Sequence, residues 1–213
     1  MDIRKMVLRF ALLGAFMGAV LLPLSAQAKE NYPVNGKVVA VSPIQDKLGS
    51  GDIVYSHFES YNEKEDETIE TIHAYRFNRE GGRLVKVWQI NDGNFDGCNL
   101  GLAAVAFRGD RKPVITDLDG NGIKEIWTGY SYQCSSEVAS ANFKIIMYEG
   151  KKKYAMRGTT RAHSSVLSPS GGLNFDGPLE GGKGTMDAAF KSGPGVFRAY
   201  AQKLWNLWRD DLD

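Results

Sequence analysis

Cysteine, histidine and proline are scarce in this chain, with two, three and seven residues among 213. Two cysteines, Cys98 and Cys134, cannot build the dense disulfide scaffold that replaces a core in small secreted domains, and no CxxC pair exists to lower a thiol pKa for redox work. His57, His73 and His163 are far apart, and none belongs to an HxxxH-type metal pair. They read as half-buried strand histidines, with His57 and His73 placed to become cross-strand neighbours. A G-x-S-x-G nucleophile elbow, a phosphate-cradling glycine loop and a dinucleotide fingerprint are all missing. Neither sign of charge is in excess, with 26 basic against 25 acidic groups. That balance excludes the basic face nucleic acid requires and a polybasic membrane patch. No repeat of 20–50 residues recurs, so a propeller is excluded.

The one long apolar run lies at the N-terminus. Arg4, Lys5 and Arg9 flank an apolar core from Phe10 to Leu22, and Ala26-Gln27-Ala28 is a small-x-small cleavage site. Residues 1–28 therefore read as an export signal, and the mature protein as periplasmic or secreted from Lys29. An uncleaved anchor is the alternative, but the run is short for a bilayer span of about 20 residues and Pro23 interrupts it. No Cys follows the cleavage site, which argues against a lipoprotein anchor, and no later run reaches transmembrane length. Cleavage removes three basic and one acidic group, leaving 23 against 24 in residues 29–213. That length suits one domain with a sizeable core. In an oxidising compartment Cys98 and Cys134 read as one disulfide, the alternative being two unrelated buried thiols. Closing a loop of that length is worth about 4 kcal/mol in the chain-entropy model.

The body of the chain alternates strand and turn. GKVVAVSPI (36–44) and DIVYSHFES (52–60) are rich in β-branched and aromatic residues. TIETIHAYRFN (68–78) has period two, with Ile69, Thr71, His73 and Tyr75 on one face and Glu70, Ile72, Ala74 and Arg76 on the other. The charge run NEKEDE (62–67) between them reads as a solvated hairpin tip. Glu80-Gly81-Gly82 turns the chain into RLVKVWQI (83–90), and NFKIIMYEG (142–150) with KYAMRGTTR (153–161) forms a further hairpin. Lys151 to Lys153 form its exposed turn, with contact to a polyanion as the minor alternative. Residues 164–184 are Gly-rich and loop-like. The period then changes: Val196, Phe197, Tyr200, Ala201, Leu204, Trp205 and Trp208 recur at three- and four-residue steps after Pro194. The expected fold is mainly β (α+β): an antiparallel sheet of consecutive hairpins with a C-terminal amphipathic helix at about 194–210 packed on it. Trp205 and Trp208 lie on the apolar face, which favours core packing over carbohydrate stacking.

The most informative stretch is DLDGNGIKE (117–125). Asp117, Asp119, Asn121 and Glu125 supply side-chain oxygens at positions 1, 3, 5 and 9, and Ile123 stands at position 7, where a backbone carbonyl completes a shell. Calcium takes six to eight hard oxygen ligands, and this spacing delivers them from one short segment. The flanking apolar runs VIT and IWTGY place the loop in a β-hairpin, and the helix–loop–helix alternative lacks its twelfth-position Glu, which here is Thr128. A metal-free Asx-type turn is the alternative. A partial echo, DGNFDG (92–97), reads as a turn leading to Cys98. Arg108-Gly109-Asp110 reads as a turn before Pro113, and Asp176 with Glu180 is the pair of carboxylates able in principle to cut a glycosidic bond if their spacing suits.

The loop is similar to the DxDxNGxxE calcium loop of integrin-type FG-GAP repeats. Several longer segments resemble a family of uncharacterised exported bacterial proteins labelled surface polysaccharide biosynthesis proteins. They are DKLGSGDIVYS (46–56), HAYRF (73–77), WQINDGNFDGC (88–98), ITDLDGNGIKEIWTGYSYQC (115–134), FKIIMYEGKKKYAMRGTT (143–160) and AYAQKLWN (199–206). The family's run after the second Cys is replaced here by Ser135 to Ser140. The resemblance implies a cell-envelope setting. The expected function is that of a non-enzymatic envelope protein with a calcium-stabilised hairpin, partnered by a surface glycan or an envelope protein. The alternatives are an envelope polysaccharide-acting enzyme and an inhibitor or immunity-type protein.

Overall fold

The computed structural model describes residues 31–99, 102–135, 140–163, 166–167, 173–174 and 179–210. The export signal (1–28), Asp176, the 136–139 run and much of 164–184 lie outside the described residues. Four strands run in consecutive antiparallel hairpins: β1 (Lys37–Asp46), β2 (Gly49–Asn62), β3 (Glu67–Glu80) and β4 (Arg83–Cys98). The charged tip lies exposed between β2 and β3, as its composition predicts. At the β3–β4 turn Gly81 and Gly82 have φ of 55° and 78°, the left-handed values that a tight hairpin turn requires and glycine adopts freely.

The second sheet contains β5 (Leu102–Phe107), β6 (Val114–Thr116), β7 (Glu125–Ser135), β8 (Asn142–Glu149) and β9 (Lys152–Thr159). Short strands follow: β10 (Arg161–His163), β11 (Val166–Leu167), β12 (Leu173–Asn174), β13 (Leu179–Gly181) and β14 (Gly184–Met186). The sheet order is β14-β9-β8-β7-β5, and β6 also pairs with β7. β10 pairs with β13 and β11 with β12, so the described parts of the expected 164–184 loop are short strands except at Gly182 and Lys183. Two helices close the chain, α1 (Ala188–Ser192) and α2 (Gly195–Trp208). Among the described residues no helix is long and apolar enough to cross a membrane.

Period-two patterning builds the first layer. Ile53, Tyr55, Ile72, Ala74, Trp88 and Ile90 bury one face of the β1–β4 sheet against Ile126, Tyr130, Ile146 and Tyr148 of the second. The opposite face of the second sheet carries Trp127, Phe143, Ile145, Met147 and Tyr154, which pack under Phe190, Phe197, Ala201, Leu204, Trp205 and Trp208. β7 and β8 are thus covered on both faces, which explains why apolar residues adjacent in sequence, Ile126-Trp127 and Ile145-Ile146-Met147, are all buried. Trp205 and Trp208 are core residues, 1% and 8% exposed. A Cβ on Gly129 would stand 2.5 Å from Trp208 Cε3, so the missing side chain makes room for the indole. Val196, expected on the apolar stripe, is 47% exposed. The buried stripe runs through positions 197, 201, 204, 205 and 208, and Val196 lies about 100° around the helix from Phe197.

Two local expectations change. The DGNFDG stretch is not a turn: it continues β4, with Asp92 and Gly93 opposite Ile72 and Thr71. Gly93 serves a close backbone approach, since a Cβ there would lie 2.5 Å from the Glu70 carbonyl oxygen. His57 and His73 are not neighbours, because His57 lies opposite Ile72 while His73 lies opposite Ser56, and consecutive strand residues point to opposite faces. Arg108-Gly109-Asp110 does form the expected turn before Pro113, with the Lys112 N–H donating to the Gly109 carbonyl, while Arg108 itself is 8% exposed and donates to Ser131 Oγ.

The candidate metal centre on the β6–β7 hairpin

Residues 117–124 connect β6 to β7, and Thr116 pairs with Glu125 at the base of the hairpin. Gly120 and Gly122 take φ of 68° and 80°, so the chain can double back within the loop. The turn gathers Asp117, Asp119 and Glu125: one carboxylate oxygen of each lies within 4.8 Å of the others. Asp117 and Asp119 are exposed, whereas Glu125 is fully buried. Among the described residues no lysine, arginine or histidine pairs with any of the three.

Local bonds hold these oxygens in place. Trp127 Nε1 donates to Thr116 Oγ1 (2.8 Å), and Thr116 Oγ1 donates to Glu125 Oε2 (2.6 Å). The Leu118 N–H reaches both Glu125 oxygens, at 3.1 and 3.0 Å. The Gly122 N–H donates to Asp117 Oδ1 (3.2 Å) and the Asn121 N–H to Asp119 Oδ1 (3.2 Å). Asn121 presents its Nδ2 to Asp119 Oδ2 (2.9 Å) and Glu149 Oε1 (2.6 Å), while its Oδ1 accepts the Ile123 N–H (2.7 Å). The structure thus gathers the three carboxylates, and the Asn121 amide must turn to offer its oxygen to the same point.

The β1–β2 turn grips the loop from behind. The Lys47 N–H donates to the Gly122 carbonyl (2.9 Å), and Lys47 Nζ bonds the Asn121 carbonyl. Asp46 Oδ2 accepts the Lys124 N–H (3.3 Å), and both Asp46 oxygens take the Arg76 guanidinium at 2.9 and 3.0 Å. Both side chains of that ion pair are fully buried. Burial pushes the Asp46 carboxyl up, but its bonds to Arg76 and to the Leu48 and Lys124 N–H groups outweigh this and hold it below the usual range. Asp46, Lys47, Arg76 and Glu149 escape a motif search because they are distant in sequence. One signal existed: Arg76 falls on the same alternating face as Ile72 and Ala74, and a charge on a core face requires a partner.

Cys98 and Cys134 form a disulfide with Cα atoms 5.5 Å apart, joining the end of β4 to β7. The bridge encloses the Asp-rich loop in sequence. In space it pins the other end of β7, nine residues and about 30 Å from Glu125, because the strand runs extended between them. It therefore ties the two sheets together rather than clamping the loop. No protein-family model, curated protein or solved structure matches the chain.

Proposed function

We propose that this is an exported, non-enzymatic cell-envelope protein whose β6–β7 hairpin is ordered by calcium to present a face to a surface glycan or an envelope protein. The observation that carries the reading is the convergence of Asp117, Asp119 and Glu125 within 4.8 Å with no basic partner among the described residues. Like charges at that range repel, and a divalent cation resolves the repulsion. Hard oxygens in a partly open loop suit calcium better than the softer transition metals. Asp117, Asp119 and Glu125 would hold the ion, with Asn121 and the Ile123 carbonyl completing the shell. Bound calcium supplies charge neutralisation and rigidity. The residues around it fix Glu125 through Thr116 and Leu118 and anchor the loop to the β1–β2 turn. Export is supported by the N-terminal pattern and by the disulfide, and the envelope setting by the segment resemblance.

Terbium luminescence tests the site. Trp127 is joined to Glu125 through Thr116, close enough to sensitise a lanthanide held by that carboxylate. Excitation of tryptophan should give terbium emission that calcium displaces and that Asp119→Ala abolishes. Emission indifferent to calcium would reduce the loop to a hydrogen-bonded turn.

A further inference from the structure

On the flank of the sandwich, between β1–β3 and β5, lies a cleft of about 190 Å³. Its wall is apolar: Val39 from β1, Ile72 from β3, Val105 and Phe107 from β5. Phe107 is fixed by stacking on Tyr55 with ring centroids 4.2 Å apart. Val39 is 39% exposed, so the cleft opens to solvent. Two polar side chains also line it, His57 and Arg111.

These two are placed differently. His57 Nε2 lies 2.9 Å from Glu70 Oε1, so the imidazole already faces a carboxylate of the protein. Arg111 has no hydrogen-bond or ion-pair partner among the described residues. It sits at the end of three successive left-handed residues, Gly109, Asp110 and Arg111, with φ of 68°, 56° and 58°. Residues with a Cβ avoid that conformation, and two in succession persist only where the surroundings enforce it. The tight connection is held by the buried Arg108 on one side and by Gly109 against the Trp208 ring on the other. Its effect is to bring Arg111, an exposed residue, into the lining of an apolar cleft.

The chemistry of such a cleft is complementary to an anion with an apolar body. Drug-sized ligands fill roughly 300–1,000 Å³. A space of about 190 Å³ restricts the occupant to a fragment-sized molecule. We propose that this cleft binds a small amphipathic carboxylate, its charge paired with Arg111 at the rim and its apolar body lying on Ile72, Val105 and Phe107. The site is separate from the metal hairpin and does not depend on it.

The test is a methyl NMR titration of the whole mature protein with hexanoate, with 1-hexanol as the uncharged control. Saturable shifts at the methyls of Val39, Ile72 and Val105 are expected, with a Kd on the order of millimolar for a ligand of this size. Hexanol should bind about tenfold more weakly, the loss expected for one charge-assisted contact. Arg111→Gln should remove the preference for hexanoate while leaving the fold intact, because the guanidinium has no internal partner to lose. Val105→Phe, which fills the cleft, should abolish both titrations. The inference is overturned if no saturable methyl shift develops, if hexanol binds as tightly as hexanoate, or if Arg111→Gln leaves hexanoate affinity unchanged.

Discussion

Asp119→Asn should change the sign of its effect on stability with calcium. Asp119 has a carboxylate oxygen within 4.8 Å of those of Asp117 and Glu125. At that separation, with water's dielectric constant at the exposed rim, each like-charge contact costs at least about 0.9 kcal/mol. In EDTA the neutral amide relieves this repulsion and keeps the bond from the Asn121 N–H, losing only the exposed bond from Asn121 Nδ2, so the variant should be as stable as wild type or more stable by up to about 1 kcal/mol. Calcium reverses the order. For a site of about 10⁻⁴ to 10⁻³ M affinity, roughly 10 mM calcium stabilises the folded state by about 1.4–2.7 kcal/mol. In a protein of this size that raises the melting temperature by about 3–11 °C. Loss of a carboxylate from the set should remove most of this rise. Differential scanning calorimetry of the mature chain, in EDTA and across a calcium titration, measures both quantities. A wild-type melting temperature flat up to 10 mM calcium, or equal calcium-induced rises in the two proteins, would show that Asp119 is not a calcium ligand.

Three further outcomes follow from the packing. Replacing Cys98 and Cys134 together with serine should cost about 4 kcal/mol in urea unfolding, the loop-closure entropy of the enclosed segment; a loss under 1 kcal/mol would show that the bridge does little to restrain the unfolded chain. Asp46→Asn should cost about 3–5 kcal/mol by leaving Arg76 buried and unpaired. Because the folded Asp46 carboxyl is depressed, its stabilisation is present above the unfolded value of 3.8 and is lost as pH falls through the lower folded value. Acid unfolding monitored by circular dichroism should therefore be shallower in the variant, and identical profiles would contradict the assignment. Gly129→Ala should lower stability by about 1–3 kcal/mol, because its Cβ would meet the Trp208 ring at 2.5 Å; an unchanged melting temperature would mean that the indole moves at little cost.

The alternation in 68–78 was legible because an antiparallel strand with two different faces must repeat every second residue. The C-terminal stripe was legible for the matching helical reason, and only Val196 at its margin escaped. DGNFDG misled because Asp, Asn and Gly favour turns as strongly as they mark bulges, and only the neighbouring strand decides between the two. The pairing of Asp46 with Arg76 was invisible, since the two are 30 residues apart and nothing local distinguishes a buried carboxylate from a solvated one.

From the sequence came the long hairpin strands, the terminal helix, the disulfide and the spacing of the loop carboxylates. All of these are encoded in side-chain type and short-range periodicity. Tertiary structure alone decided that two sheets and a helical layer stack, that the β1–β2 turn braces the Asp-rich loop, and that the disulfide sits at the far end of β7 from it. It alone also carries Arg111 to the rim of a cleft built from four separate strands and turns. Those arrangements depend on which apolar faces bury each other, a choice made by the whole core at once and by no segment alone.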